Sequence, residues 1–423
     1  VLILDVRDLH RHLSIATETL RDHYRSVPDG PQGSGGWYHE LGGAPGATAT
    51  ALALACFVDC DEAPDRLDQA LRFLREHQQE DGGWPTRTSG SQAVVEATGW
   101  IAWALARIRC DLREGAPDLH RATRWLIGQQ NPDGGWGSMR DAPSRVWLTC
   151  LALRALNELD PHADAVAHGV RWLLDQRVTD QTTRARVWGV NGGAGGPTVT
   201  HTAFALITLA ELRPADLSRH LPAFAWLTRR LAMDPANPHK WIETYTVAPA
   251  EGGAWRLNLW HYGLPLALTA LLHHPEGPPV AQVGPALERI LRISPGEHIW
   301  GDDITPGESP SLWSLWWSLQ AITSVYRQPL FRPDDLVVWL KDAVVIRRGT
   351  ARRKPLFSLA PALWAAGLGR LLKRYWAYAA LLLLCSLIGG GVLAGWWKGE
   401  VFWVGLVIPM ALIPLQEAFK PRR

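Results

Sequence analysis

The segment from Gln69 reads QALRFLREHQQEDGGW, and the segment from Arg121 reads RATRWLIGQQNPDGGW. A small residue, an aromatic followed by leucine, a glutamine and a closing Gly-Gly-Trp stand in register in both. No other feature constrains the fold as strongly, because a chain that repeats at a period of about 20 to 50 residues builds its core by stacking copies of one unit. Weaker copies of the glycine-tryptophan end occur at Trp37, Trp188, Trp255 and Trp300, so the six tryptophans are spaced by 47, 52, 52, 67 and 45 residues. The chain holds 23 tryptophans against seven tyrosines and eight phenylalanines, and this skew fits a structural need that recurs with each unit.

Each unit has one grammar: a helix with a polar face, a turn built on Asp-Gly-Gly, and a second helix that is apolar almost all round. Aspartate side chains bond backbone N–H groups just ahead of them and glycine accepts positive φ, so Asp81-Gly82-Gly83 and Asp133-Gly134-Gly135 read as turns. The second helices are expected at 47–58, 91–108, 144–159, 197–212, 258–273 and 309–326. A helix apolar on all sides is buried, whereas the first helices, for instance 64–78 and 117–129, carry charge on one face and meet water. Six inner helices ringed by six outer ones predict an all-α, α6/α6 toroid of six helical hairpins over residues 1–326.

These residues carry a resemblance. The pattern of small residue, aromatic, aliphatic, Gln, Gly and Trp resembles the QW repeat of squalene-hopene and oxidosqualene cyclases, and the toroid is similar to that of protein prenyltransferase β subunits. The likeness covers roughly residues 7 to 326 and is sharpest in the repeats ending at Trp84 and Trp136. It implies a structural role for Gln78, Trp84, Gln130 and Trp136, linking an outer helix to the next hairpin.

Lysine plus arginine (43) nearly balances aspartate plus glutamate (41), so charge gives no reason to expect a nucleic-acid partner. Five cysteines without a CxxC pair point away from zinc or redox centres and toward a reducing compartment. The first residues read as the start of a helix, with no secretion signal. Beyond the toroid, a short helix is expected at 333–346, followed by a basic and amphipathic linker that completes 327–374. Residues 375–397 form an uncharged run of 23 with aromatics at both ends, which reads as a transmembrane helix; 401–415 could form a second span, giving a membrane segment over 375–419. Arg370, Lys373, Arg374, Lys420, Arg422 and Arg423 flank these runs. By the positive-inside rule they predict a cell-membrane protein with its toroid on the cytoplasmic side.

Class II terpene cyclases, which the resemblance brings into view, use the middle aspartate of a DxDD motif as acid. No DxDD occurs here. Asp59-Cys60-Asp61-Glu62 reads as a solvated connecting loop. Asp302 and Asp303 precede the sixth inner helix, at the end suited to an acid facing the cavity mouth, and Glu96 lies in an otherwise apolar inner helix, where a carboxylate must be paired, protonated or open to a cavity. These three are the candidate catalytic acids. The resemblance to prenyltransferases implies a zinc set in which His201 would join an aspartate and a cysteine, but the earlier inner-helix start, Asp141 to Val146, holds an aspartate and no cysteine, and Cys150 is more than a turn further on; no metal and no cofactor are therefore expected. Trp100, Trp147, Trp260, Trp313 and Trp316, with His201 and His261, are the candidate ligand-binding residues, since inward-facing aromatics can bind an isoprenoid or stabilise a cation. The sequence thus supports a membrane-tethered toroid, lacking both catalytic signatures, that binds a hydrophobic isoprenoid-like ligand or a protein segment. An isoprenoid cyclase or transferase acting on a membrane lipid, and a docking scaffold for a soluble protein partner, are the alternatives.

Overall fold

The computed structural model describes residues 2–27, 33–38, 44–64, 66–108, 115–190, 196–232, 243–247, 255–259, 263–293, 312–327, 336–340 and 343–347. Twelve α-helices run through these residues as six hairpins. The outer helices are α1 (Val6–Asp22), α3 (Leu67–Glu76), α5 (Leu119–Gly128), α7 (Asp164–Asp175), α9 (Leu221–Ala232) and α11 (Val280–Ile293). The inner helices are α2 (Ala47–Asp59), α4 (Val95–Arg107), α6 (Val146–Leu159), α8 (Val199–Leu212), α10 (Gly263–Leu272) and α12 (Leu312–Tyr326). Each inner helix lies against the next, and α12 lies against α2, so the inner ring closes. The division into inner and outer layers follows the side chains. In α2 every residue from Ala47 to Phe57 is buried, whereas α3 buries only Ala70, Leu71, Phe73 and Leu74.

The repeat is a hydrogen-bonded device. In four units the backbone N–H of the repeat tryptophan (Trp37, Trp84, Trp136, Trp188) donates to a buried threonine hydroxyl of the following inner helix (Thr50, Thr98, Thr149, Thr202) at 2.9–3.1 Å. The indole Nε1 of the same residues donates to a carbonyl of the preceding outer helix (Leu20, Leu74, Leu126, Leu173) at 2.6–2.8 Å. Each tryptophan thereby satisfies two buried donors while binding the two helices of its own hairpin.

The glutamines act between units. Gln78 Nε2 donates to the carbonyls of Gly82 and Asp118, and its Oε1 accepts from the Asp118 N–H, all at 2.9 Å. Gln130 repeats this with Gly134 and Ala165 at 2.8 and 2.9 Å. In the turns, Asp81 and Asp133 each accept from the N–H two residues on (Gly83, Gly135) and from the indole of the next outer helix (Trp125, Trp172). Only the first glycine of each pair needs positive φ, +102° at Gly82 and +93° at Gly134. A Cβ at Gly82 would also stand 2.6 Å from the Arg121 backbone, so the next helix presses on the turn itself.

Several expectations require correction. Residues Leu2–Asp5 form a strand, β1, before α1 begins, and the stretch expected as helix at 333–346 contains strands instead. One of them, Leu336–Leu340, pairs antiparallel with β1 in the register Leu2↔Trp339 to Asp5↔Leu336. Both runs are short and mostly apolar, and Val337, Val338 and Trp339 in the second suit a ladder better than a helix. Ala343–Arg347 is a strand of the second compact unit, which spans 343–423. Trp255 opens a strand of a β-hairpin, Glu243–Val247 with Trp255–Leu259, rather than closing a glycine turn. Asp59 is the last residue of α2 and 2% exposed, not part of a solvated loop.

The membrane segment is also corrected. Among the described residues no helix is long and apolar enough to cross a bilayer. The longest, α1, has 17 residues and α12 has 15, against about 20 for a span. The runs 375–397 and 401–415 on which that expectation rested lie outside the described residues. The finding overturns the transmembrane part of the fold class and the membrane-tethered reading. The membrane partner and the cell-membrane location with a cytoplasmic toroid fall with them.

Candidate functional site

The inner helices bring aromatic side chains from α4, α6, α8 and α12 together inside the ring. Trp100 is the hub: it has no exposed surface and makes ring contacts with Trp103, Trp147, Phe204, Trp313, Trp316 and Trp317, at centroid distances from 4.7 to 6.4 Å. Trp147 packs closely against Phe204 (4.5 Å, tilted by 38°) and also reaches Trp317 and His201. Most of these contacts are edge-to-face, the arrangement the ring quadrupoles favour. Phe204, Trp316 and Trp317 are buried, while Trp147 and Trp313, one turn nearer the N-terminal ends of their helices, are partly exposed. Among the described residues the interior of the ring is filled at the level of Trp100, and exposed ring surface begins at Trp147 and Trp313, toward the N-terminal ends of α6 and α12.

Glu96 stands one turn before Trp100 on the same face of α4. Solvent reaches it, yet protein surrounds it closely enough that burial dominates its ionisation. Burial raises the carboxyl above its ordinary range, opposed by a hydrogen bond from the Trp147 indole and by the charge of Arg145. The site is therefore an aromatic cup headed by one carboxyl. His201 closes another side. It is 4% exposed, its Nδ1 lies 2.9 Å from the hydroxyl of Thr198, and burial pushes its pKa down to about 3, so it is neutral near neutral pH. Among the described residues no group of three or more His, Cys, Asp or Glu could hold a metal ion.

Of the residues singled out in the sequence, Glu96, Trp100, Trp147, His201, Trp313 and Trp316 meet at this cup. Asp302, Asp303, Trp260 and His261 lie outside the described residues. Sequence reading missed Phe204 and the charged layer at the opposite end of the ring. There Arg154, 4% exposed, pairs with Glu211 through two 2.7 Å bonds, and the guanidiniums of Arg154 and Arg107 both lie 4.7 Å from the Trp103 ring. A lone arginine in the apolar run of α6 was the signal for it, of the same kind as Glu96 in α4.

Comparison with known proteins agrees with this architecture. Residues 40–142 match the family model of the squalene-hopene cyclase C-terminal domain, a stretch that holds Glu96, Trp100 and both complete repeats. Human lanosterol synthase is 31% identical over 132 residues, which are 28% of this chain and 18% of that protein. The chain thus matches under a fifth of that relative's length. Among solved structures, a family 76 glycoside hydrolase (mannosidase) from Bacteroides thetaiotaomicron superposes with a TM-score of 0.53 at 8% identity, covering 75% of this chain and 98% of the other. The type II terpene cyclase MstE from Scytonema superposes with a TM-score of 0.50 at 16% identity, covering 77% and 98%. Likeness at such identity speaks for the fold alone. The chain is a distant member of the squalene-hopene-cyclase-like α/α toroid superfamily.

Proposed function

We propose that this toroid binds a hydrophobic, isoprenoid-like molecule in the aromatic cup at the N-terminal ends of its inner helices. One observation carries the reading: the Glu96–Trp147 pair stands above a continuous aromatic floor formed by Trp100, Phe204 and Trp317. Apolar walls with a single convergent polar group make a pocket that takes a long hydrocarbon and orients one polar end. The family match and the terpenoid-related names of the relatives support an isoprenoid over other lipids.

The raised Glu96 carboxyl favours a second reading, in which the cup also catalyses. A protonated carboxylic acid facing aromatic walls can give its proton to an alkene or epoxide, and the rings then face the cation that results. Binding is common to both readings and is the statement to test. Titration of the full chain with geranylgeraniol, followed by calorimetry, is expected to show one site. Trp147→Ala should weaken it at least about tenfold with the helical circular dichroism unchanged. No heat, or equal binding by the two proteins, would refute the reading.

A further inference from the structure

A cavity of about 220 Å³ lies away from the aromatic cluster, where α7, α8 and the 3₁₀ turn Pro214–His220 meet. Leu174 and Leu209 form its apolar part, and its polar wall is Arg177, Arg213, Arg219, His220 and Asp216. The one carboxylate is engaged: Asp216 pairs with Arg219 at 3.3 Å. Among the described residues neither Arg177 nor Arg213 has a carboxylate within ion-pair distance, so two guanidiniums border the same small space as the Asp216–Arg219 pair without an ion pair of their own.

The arrangement is held in place. Arg177 Nε donates to the Leu174 carbonyl at 2.7 Å, which fixes its guanidinium at the end of α7. His220 is 7% exposed and stands 5.9 Å from the Trp188 ring, so the far wall is anchored in the core. Burial first, then the charges of Arg177 and Arg219, hold His220 below its ordinary pKa, with only Asp216 acting the other way. Arg177 is itself lowered, by burial and by the neighbouring Arg186, with Asp175 acting in the opposite sense. An anion bound between these side chains would meet favourable charge from Arg177 and Arg219, both of which already act on His220.

We propose that this cavity is a binding site for a small phosphate-bearing anion, gripped by Arg177 and Arg213. Guanidinium groups present paired N–H donors that match the oxygens of phosphate. The volume falls below the roughly 300–1,000 Å³ of sites for drug-sized ligands, so it suits inorganic phosphate or diphosphate. The site is independent of the aromatic cup and stands whatever the cup binds.

Calorimetric titration of the full chain with sodium phosphate and, separately, sodium diphosphate, at fixed ionic strength and neutral pH, tests it. At least one of the two anions is expected to bind at a single site. Arg213→Ala and Arg177→Ala should each weaken that binding about tenfold or more, whereas Arg171→Ala, an exposed arginine of α7 outside the cavity wall, should leave it unchanged. Arg213 is exposed, so its variant decides the matter even if Arg177→Ala loses its fold. No binding of either anion, or equal binding by wild type and Arg213→Ala, would overturn the proposal.

Discussion

Asp59, the last residue of α2, accepts a 2.6 Å hydrogen bond from Arg107, the last residue of α4. Gln320 of α12 donates to the other oxygen of the same carboxylate, across 261 residues of sequence, and Arg327 lies 4.0 Å away. One buried carboxylate therefore joins the first, second and last inner helices, where the ring must shut. Arg327 adds bonds to the Val58 carbonyl and to Asp61.

Removing that buried carboxylate leaves the partly buried Arg107 charge without its partner. Asp59→Ala is expected to cost about 3–5 kcal/mol of unfolding free energy, read as a lower denaturation midpoint. Asp59→Asn keeps an acceptor for Arg107 and should cost less. Equal stability of Asp59→Ala and wild type would show that the ring does not depend on this closure.

The repeat bond between Trp84 and Thr98 gives a second prediction. Thr98→Val keeps the shape but strands the buried Trp84 N–H, and should cost about 1–3 kcal/mol. Thr123→Val, on a half-buried outer-helix hydroxyl that bonds only its own helix, should stay within about 0.5 kcal/mol. Chemical denaturation of both variants measures the difference.

At the aromatic hub, Trp100→Ala removes a fully buried ring that touches six others. A loss of about 3–5 kcal/mol is expected from the lost contacts and the cavity left behind. The near-ultraviolet circular dichroism should also change, because the neighbouring indoles lose their common partner.

Glu96 makes stability depend on pH. Its folded-state pKa is raised, so its contribution is fully present below the ordinary glutamate value of 4.5 and is lost as pH rises through the higher folded value. Thermal denaturation of the wild type should show that decline just above pH 4.5, and the same scan on Glu96→Gln should lack that component.

The local and periodic parts of the fold were legible in the sequence. Gln78, Trp84, Asp81 and Gly82 act on neighbours within one repeat or the next, so their spacing carries the signal. Glu96 stood out because a carboxylate in an apolar helix needs an explanation, and Arg154 carried the same signal unread. What escaped were relations made only when the ring closes. Asp59 resembles a loop aspartate until Gln320 and Arg327 arrive beside it from the other end of the toroid. Likewise, Leu2–Asp5 is too short to show a period, and it becomes a strand by pairing with Leu336–Leu340 from the other end of the toroid sequence. The described α-helices, of 10 to 17 residues, stop short of the roughly 20 that a bilayer span needs.

Photo-crosslinking locates the bound isoprenoid on the chain. A diazirine analogue of geranylgeraniol is added to the full chain, and the labelled peptides are identified by mass spectrometry. The cup account predicts label on residues at the N-terminal ends of α4, α6 and α12, around Glu96, Trp147 and Trp313, suppressed by excess geranylgeraniol. Label confined to the outer helices, or label that excess ligand does not suppress, would contradict it.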